Sequence, residues 1–343
     1  MLAYYLYFKN KSLVLWSGFK TNLILKNLKK LFLIKLGIDK GAEIINLPIY
    51  GNICLSIHQG YKIFNFKKGS VIKIFDRNLP ADIVATEIKG VREAGHLDFS
   101  PDIVDWNMKD RWFEEELVEG SMGYAILNSN PNALMSVFRR EIIPLLENMI
   151  LLKKPVYTLL CERVDSCLSI INKGNRLSAP GLDAQKVNSI KKGIGKITES
   201  LRKEDNQKIC LIFSHGDFSF KNVMITKKRT MVIDWEGVAF RSVLFDLYNW
   251  FFTELYYHNG SSNLVPEISE AISIFKKHLN DKAPDIVQSL SSMASAYRFL
   301  FYLERMTMLL QRNLSDKLLD ITLSSYMVFM EYEDNQSHHF DGC

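Results

Sequence analysis

The stretch at residues 209–247 reads ICLIFSHGDFSFKNVMITKKRTMVIDWEGVAFRSVLFDL. Its first apolar run leads into a His-Gly-Asp at 215–217, the second ends at Asp234, and a third aspartate, Asp246, follows. Short runs of Val, Ile and Leu predict strands, so these acidic groups are expected at strand ends. The pattern indicates a site rather than a solvated surface.

The spacing of these polar residues indicates a catalytic base beside a magnesium site. Asp217 and Asn222 form D-x-x-x-x-N, the spacing at which kinase catalytic loops place a base near a magnesium ligand. Asp234 closes the run MVID, as a second magnesium ligand would. A hard divalent cation with few protein ligands needs an oxygen-only set of this kind. Asn222 and Asp234 are therefore the predicted metal ligands.

The whole stretch resembles the signature of the aminoglycoside phosphotransferase and choline kinase family, H-G-D-x-x-x-x-N followed by I-D-W/Y-E and a later D-L. The matching elements stand at 215–217, 222, 233–236 and 246–247. HGD alone is a weak signal, whereas all the elements in register are a strong one. The resemblance implies an α+β, two-lobed protein-kinase-like fold, with a small antiparallel β-sheet N-lobe carrying one helix and a larger, mainly helical C-lobe.

The resemblance also implies an activity, transfer of the ATP γ-phosphoryl group to a hydroxyl of a small molecule, with ATP and Mg²⁺ bound. In that reaction Asp217 orients the acceptor hydroxyl and accepts its proton. His215 braces the loop, and Asp246 hydrogen-bonds the loop backbone. One departure concerns the acceptor side: where the family commonly has Gly or Pro before the last aspartate, this chain has FRS at 240–242.

The first lobe is expected to hold a phosphate-binding lysine. Residues 44–75 contain three short β-type runs, the last two joined by a Lys-Gly-Ser hairpin signal. Lys73 lies in V-I-K-I, which resembles the kinase strand V-A-I-K, whose ammonium holds the α- and β-phosphates. A strand lysine among apolar residues needs an anionic partner or an exit to water. The resembled family places a glutamate in the helix predicted here over 80–95, which implies Glu87 as the partner of Lys73, with Glu93 as the alternative.

Two further nucleotide contacts follow from the resemblance. The turn at 56–60 stands where a phosphate-covering loop belongs and makes Gly60 a candidate, although it lacks G-x-G-x-x-G. Two strands are predicted around the polar turn NMKD, and the second leads to a hinge at Glu116, Leu117 and Val118. The backbone groups of this hinge are expected to receive adenine.

The length of 343 residues allows two domains. We predict an N-terminal extension at 1–43, an N-lobe at 44–115 and a C-lobe at 116–343 that ends in a polar tail. A helical pattern around Pro144 is expected to break or kink there. The other predicted C-lobe helices lie at 156–172, 183–203, 244–257, 265–279, 286–312 and 315–332.

Composition narrows the class of partner. The formal charge of +5 reflects scattered lysines, so nucleic acid is not expected. Five widely spaced cysteines without a CxxC pair predict free thiols in a reducing cytoplasm. We find no apolar run of the ~18 residues that a membrane span needs and no signal peptide, so a cytoplasmic protein is expected.

The lysine-rich segment at 20–37 is an imperfect amphipathic helix pattern. Such a helix could lie on a membrane surface as a peripheral contact or grip a partner. Packing of its apolar side against the first lobe is the favoured alternative. The sequence specifies no oligomeric state.

The acceptor is open between a sugar or glycan and an amino-alcohol such as choline or ethanolamine, with an aminoglycoside as a further alternative. A cationic acceptor would need aromatic faces or carboxylates. Glutamates at 254, 267 and 270 do not form the dense acidic groove that an aminoglycoside would need. The aromatic candidates are Trp235, Trp250, Tyr256 and Tyr257, the last three at a helical spacing typical of core residues.

Two other functions compete with a small-molecule kinase. A catalytically silent nucleotide-binding or scaffold protein of kinase fold is disfavoured because Lys73, Asp217, Asn222 and Asp234 are all present. A protein kinase is disfavoured because Gly216 replaces the arginine of H-R-D, and no D-F-G or A-P-E follows the loop.

Overall fold

The structure is a computed structural model. It describes residues 51–57, 59–123, 133–174, 177, 182–204, 206–258, 264–311 and 316–340. The predicted extension at 1–43 and its lysine-rich segment at 20–37 lie outside the described residues.

The chain divides into two compact units. Among the described residues, the first unit contains those up to Gly95 together with Pro101–Val118. The second contains His96–Ser100 and the residues from Glu119 onward. The N-lobe was predicted to end at 115, and the first unit ends at Val118.

The first unit is an antiparallel sheet of five strands with one helix, as the fold prediction required. The elements are β1 (Ile53–Ile57), β2 (Gly60–Asn65), β3 (Ser70–Phe75), α1 (Ala81–Ala94), β4 (Ile103–Asn107) and β5 (Trp112–Glu116). The sheet order is β1-β2-β3-β5-β4, and helix α1 follows β3 in the chain.

Strand β3 forms the centre of this sheet, and its alternation places Lys73 among apolar side chains. Val71, Lys73 and Phe75 share one face because successive side chains of a strand point to opposite faces. Phe113 of β5 lies opposite Lys73, and its ring is 6.0 Å from that of Phe75. Lys73 is consequently only 1% exposed.

The second unit is mainly helical and contains two small antiparallel sheets, ordered β10-β9-β6 and β11-β8-β7. Strand β8 is central in the second sheet and leads directly into the His-Gly-Asp loop. The strands are β6 (Ser121–Met122), β7 (Val156–Leu159), β8 (Lys208–Ser214), β9 (Val223–Ile225), β10 (Thr230–Val232) and β11 (Ala239–Ser242). The helices are α2 (Leu134–Val137), α3 (Ile143–Leu152), α4 (Leu160–Lys173), α5 (Ala184–Arg202), α6 (Phe245–His258), α7 (Leu264–Leu279), α8 (Pro284–Ser292), α9 (Ala294–Gln311) and α10 (Asp316–Phe340).

Helix α9 is the core helix of this unit. It packs against α4, α5 and α10, and its run from Leu300 to Leu310 is buried throughout. That run includes two charged residues, Glu304 and Arg305, which are 2% and 5% exposed. Charged groups are rarely buried without partners, so both side chains need specific contacts.

Three predictions of helix extent were wrong. Residues Val156–Leu159 form strand β7, because they pair with β8 although their composition also suits a helix. The helix predicted at 286–312 is two helices that break at Met293, whose φ of −125° is not helical. The polar tail predicted after 332 is helical as far as Phe340.

The predicted break at Pro144 takes the form of a π-helical turn at Phe138–Ile142, between α2 and α3. Proline has no N–H to donate within a helix, so a local change of register there is expected.

The described cysteines Cys54, Cys161, Cys167 and Cys210 are free. In the part of the chain that the structure describes, no helix is long and apolar enough to cross a membrane.

Two glycines of the first unit allow a matched test of strand packing. A Cβ at Gly60 would lie 2.0 Å from the carbonyl oxygen of Ile74, and φ there is +146°. Gly60→Ala is therefore expected to lower the free energy of unfolding by about 4 kcal/mol in urea denaturation. Gly69 also has a positive φ, but nothing lies within 4 Å of its Cβ position. Gly69→Ala should cost only about 1–2 kcal/mol, and equal losses would contradict the packing explanation.

Candidate active site

The loop that follows β8 contains a glycine, Gly216, at a position where any other residue would be strained. Gly216 has φ +84°, in the left-handed region. A Cβ there would lie 2.5 Å from the carbonyl oxygen of Gly237 and 2.8 Å from Nη1 of Arg241. The close approach of these groups explains the glycine of the HGD motif in physical terms.

Asp246 holds the N-terminal side of this loop. Its Oδ2 accepts the backbone N–H of His215 at 2.7 Å, and its Oδ1 accepts that of Gly216 at 3.0 Å. The carboxyl is 1% exposed, and burial raises its pKa, while Arg241 and the two N–H donors oppose the rise. Two buried backbone donors are thereby satisfied by one side chain.

The His215 ring connects the loop to the strand segment that carries Asp234. Its Nε2 lies 2.9 Å from the carbonyl oxygen of Ile233, and its Nδ1 accepts the N–H of Asp217 at 3.2 Å. This pair of contacts requires the neutral tautomer with hydrogen on Nε2. The ring is buried and packs edge-on against Trp235 at 4.7 Å between centroids.

Asn222 contacts Asp217 twice. Its Nδ2 donates to the backbone carbonyl of Asp217 at 2.8 Å and to Oδ2 of the carboxylate at 3.3 Å. Because the amide nitrogen makes these bonds, the amide oxygen is the atom suited to a cation. The Asp217 side chain is 41% exposed and can meet a bound molecule.

Asp234 adopts an unusual backbone conformation, with φ 64° and ψ 50°. This left-handed conformation costs energy for a residue other than glycine and is concentrated at functional sites. The preceding residue, Ile233, donates its N–H to the backbone carbonyl of Asn222 at 2.8 Å. This hydrogen bond joins the backbone segments that carry the two predicted metal ligands, Asn222 and Asp234.

These oxygen donors fit Mg²⁺, which is held by one or two carboxylates with phosphates and water. Within the described ranges, no group of three or more His, Cys, Asp or Glu side chains suits a metal ion. A site with two protein ligands, such as Asn222 and Asp234, does not need such a group.

Two buried arginines that were not predicted from the sequence lie beside the loop, and one of them bonds to it. Arg305 donates from Nη1 to the carbonyl of Gly216 at 3.0 Å. Arg241 donates from Nη2 to the carbonyl of Gly237 at 2.8 Å. Arg241 lies in the FRS segment where the sequence departs from the family pattern. A charged pair inside an apolar helical run was the only sequence signal for Arg305.

In the first unit, Lys73 is held by two side chains. Its Nζ lies 3.3 Å from Oε2 of Glu87 and donates to Oε1 of Gln59 at 3.1 Å. Gln59 also donates to Oε1 of Glu87 at 2.7 Å, so each of the three side chains contacts the other two. Glu93, the alternative partner, is half-buried and lies 3.9 Å from Lys89. Gln59 was not singled out from the sequence.

The other nucleotide candidates of this unit are placed as follows. Gly60 begins β2 and pairs with Ile57 and with Phe75. The N–H groups of Glu116 and Leu117 donate to the carbonyls of Asp102 and Gly69. Among the described residues, the N–H of Val118 has no internal acceptor, which makes it the candidate donor to a base.

The aromatic candidates for a cationic acceptor belong to the core where they are described. Trp235 and Trp250 are 1% and 0% exposed. Trp235 stacks on Phe213, and Trp250 contacts Phe220. The side chains of Glu254, Tyr256 and Tyr257 lie outside the description, and Glu270 pairs with Arg139.

Comparison with known proteins finds one matching family model and several structures of similar fold. Residues 123–261 match the model of the ecdysteroid kinase-like family. A choline kinase from Cryptosporidium parvum Iowa II superposes with a TM-score of 0.52 at 15% identity, over 93% of this chain and 97% of that one. The chain has the protein-kinase-like fold.

A second structure supports the same fold. An ethanolamine kinase from Plasmodium vivax superposes with a TM-score of 0.51 at 13% identity, over 78% of this chain and 77% of that one. A search of curated protein sequences found no match. The predicted fold and the predicted resemblance are therefore confirmed, whereas the individual residue roles stay predictions.

The Asp246 contacts predict a stability loss on an isosteric change. Asp246→Asn puts an NH₂ donor against a backbone N–H and should lower the free energy of unfolding by about 1–3 kcal/mol. Asp334→Asn is the control, because that carboxylate is 42% exposed and lies 3.7 Å from Arg298. The control should cost no more than about 1 kcal/mol, and equal losses in urea denaturation would contradict the role of Asp246.

The buried Lys73–Glu87 pair predicts a non-additive result. Glu87→Ala should lower the free energy of unfolding by about 3–5 kcal/mol, because it strands a buried ammonium. Adding Lys73→Met removes the stranded charge, so the double variant should recover part of that loss. Urea denaturation of both variants tests this, and a double variant less stable than Glu87→Ala would sink the explanation.

Proposed function

We propose that this protein transfers the γ-phosphoryl group of ATP to a hydroxyl of a small molecule in the presence of magnesium. The observation that carries the proposal is the half-exposed carboxylate of Asp217 in a loop that is otherwise buried. Asn222 contacts that carboxylate and keeps its own amide oxygen for a cation. The kinase-like fold and the family model support phosphoryl transfer as the reaction class.

The proposed step uses Asp217 as the base. The acceptor hydroxyl donates to a carboxylate oxygen of Asp217, and its oxygen forms the new bond to the γ-phosphorus. The bond from that phosphorus to the bridging oxygen of ADP breaks, and the hydroxyl proton passes to Asp217. Because such transition states are loose, the residues mainly position the reactants.

Other residues hold the charged substrate. Lys73 would bind phosphate oxygens of ATP, with Glu87 and Gln59 fixing its ammonium. Asn222 and Asp234 would hold Mg²⁺, which neutralises phosphate charge when bound. Val118 would donate its N–H to the adenine base.

The described residues bear on one class of acceptor. Trp235 and Trp250 are buried, so neither offers a face to a cationic amino-alcohol. Carboxylates also recognise such a cation, so the proposed acceptor is a sugar or an amino-alcohol. The name of the matching family adds steroid alcohols to the classes that a substrate panel should contain.

The test is magnesium-dependent ATP consumption with sugars, amino-alcohols, aminoglycosides and steroid alcohols as acceptors. With a productive acceptor, Asp217→Asn should lower kcat by about 10²- to 10⁴-fold, because it removes the base. Asp234→Asn should lower it by about 10²- to 10³-fold, the size of one lost electrostatic contributor.

Asp165→Asn is the matched control, since that carboxylate is 70% exposed and its nearest cation is 3.7 Å away. It should retain wild-type turnover. ATP binding without turnover of any acceptor would favour the silent kinase-fold alternative. Absence of ATP binding would overturn the proposed function.

A further inference from the structure

Arg305 is a buried cation that the reaction scheme above does not use. It comes from the middle of helix α9, 88 residues beyond Asp217 in the chain, and its side chain is 6% exposed. Its Nη1 donates to the carbonyl of Gly216 and lies 3.7 Å from Oδ1 of Asp217. The guanidinium also lies over the ring of Phe252, 5.3 Å from its centroid.

Its neighbour Glu304 shows that the two buried charges of α9 serve different segments. Glu304 accepts the N–H and the hydroxyl of Ser242 and pairs with Arg163 at 2.7 Å. Glu304 therefore anchors strand β11, whereas Arg305 anchors the catalytic loop. Burying a guanidinium is costly unless it gains specific contacts, so its position at Gly216 and Asp217 requires an explanation.

The contacts of Arg305 fix one peptide plane. The peptide between Gly216 and Asp217 has its carbonyl held by Arg305 and its N–H held by Nδ1 of His215. A planar peptide held at both ends cannot rotate freely. Because the Asp217 side chain extends from this peptide, its origin is fixed as well.

The same guanidinium constrains the carboxylate. Oδ1 of Asp217 faces Arg305, and Oδ2 faces the amide of Asn222. With one donor group near each oxygen, the plane of the carboxylate is defined before any acceptor binds. A misplacement of about 1 Å at such a group can cost about 10²-fold in rate.

We propose that Arg305 is a positioning residue that holds the Gly216–Asp217 peptide and orients the Asp217 carboxylate toward the acceptor hydroxyl. The expected effect of Arg305 on catalysis rests on the proposed kinase function. Its structural part, the fixing of the peptide, can be measured without turnover.

The kinetic test compares Arg305→Met and Arg305→Lys with Arg163→Met. Arg305→Met should lower kcat by about 10²-fold and leave the KM for ATP within about twofold, since orientation and not nucleotide binding is lost. Arg305→Lys should recover part of the loss, because an ammonium keeps the charge but not the fork. If Arg305→Met does not fold, Arg305→Lys takes its place in the kinetic comparison.

Arg163→Met is the control because it also removes a guanidinium that contacts helix α9, where Arg163 pairs with Glu304. No contact joins Arg163 to Gly216 or Asp217 among the described residues. Its kcat per folded molecule should stay near wild type. If the two methionine variants lose kcat equally, the effect is general destabilisation and the proposal is overturned.

Hydrogen exchange of the Asp217 amide separates this proposal from the proposed function. Arg305→Met should speed that exchange about tenfold, whereas Arg163→Met should not change it. If the wild-type protein turns over no acceptor, the proposed function fails. Hydrogen exchange of the Asp217 amide then tests by itself whether Arg305 fixes the Gly216–Asp217 peptide. Unchanged exchange in Arg305→Met overturns the positioning role whatever the turnover.

Discussion

The backbone polar groups of the His215–Asp217 loop lie in a dry interior and must all find partners. No strand or helix supplies them, so side chains do. Asp246 takes two N–H groups, the His215 ring takes a third, Arg305 donates to one carbonyl and Asn222 to another. Residues that are far apart in the chain thus form one hydrogen-bonded network. Removal of any one of these side chains leaves a buried backbone N–H or carbonyl without its hydrogen-bond partner.

This constraint explains why the loop can present Asp217 for chemistry. The surrounding groups are buried and bonded to one another, whereas the carboxylate of Asp217 is partly exposed to solvent. Its position is determined by backbone bonds rather than by its own packing. The first unit solves a related problem at Lys73, where Glu87 and Gln59 allow an ammonium to lie within a sheet.

The sequence predicted features that are encoded locally. The β-type runs within 44–75 were visible as local patterns, and the motif from 215 to 247 carried the family resemblance that implied the fold class. Glu87 followed from the need of a strand lysine for a carboxylate, with the family resemblance indicating the helix. These inferences used neighbours in the chain or one strong motif.

Features that depend on tertiary contacts were missed for a physical reason. Strand β7 exists because β8 offers it a partner, which overrides its local propensity. Arg305 and Gln59 matter through contacts with residues distant in sequence, at Gly216 and at Lys73. Arg241 lies where the family pattern fails, so the resemblance gave no role for it. Contacts between residues so far apart in the chain leave no periodicity or motif within one stretch of sequence.

The most direct test of the account is a crystal structure of the protein with Mg²⁺ and a non-hydrolysable ATP analogue. The account predicts that the amide oxygen of Asn222 and a carboxylate oxygen of Asp234 coordinate the metal. It also predicts that Nδ2 of Asn222 stays on Asp217, whose carboxylate does not bind the metal. A nucleotide complex in which the metal contacts neither Asn222 nor Asp234 would contradict it.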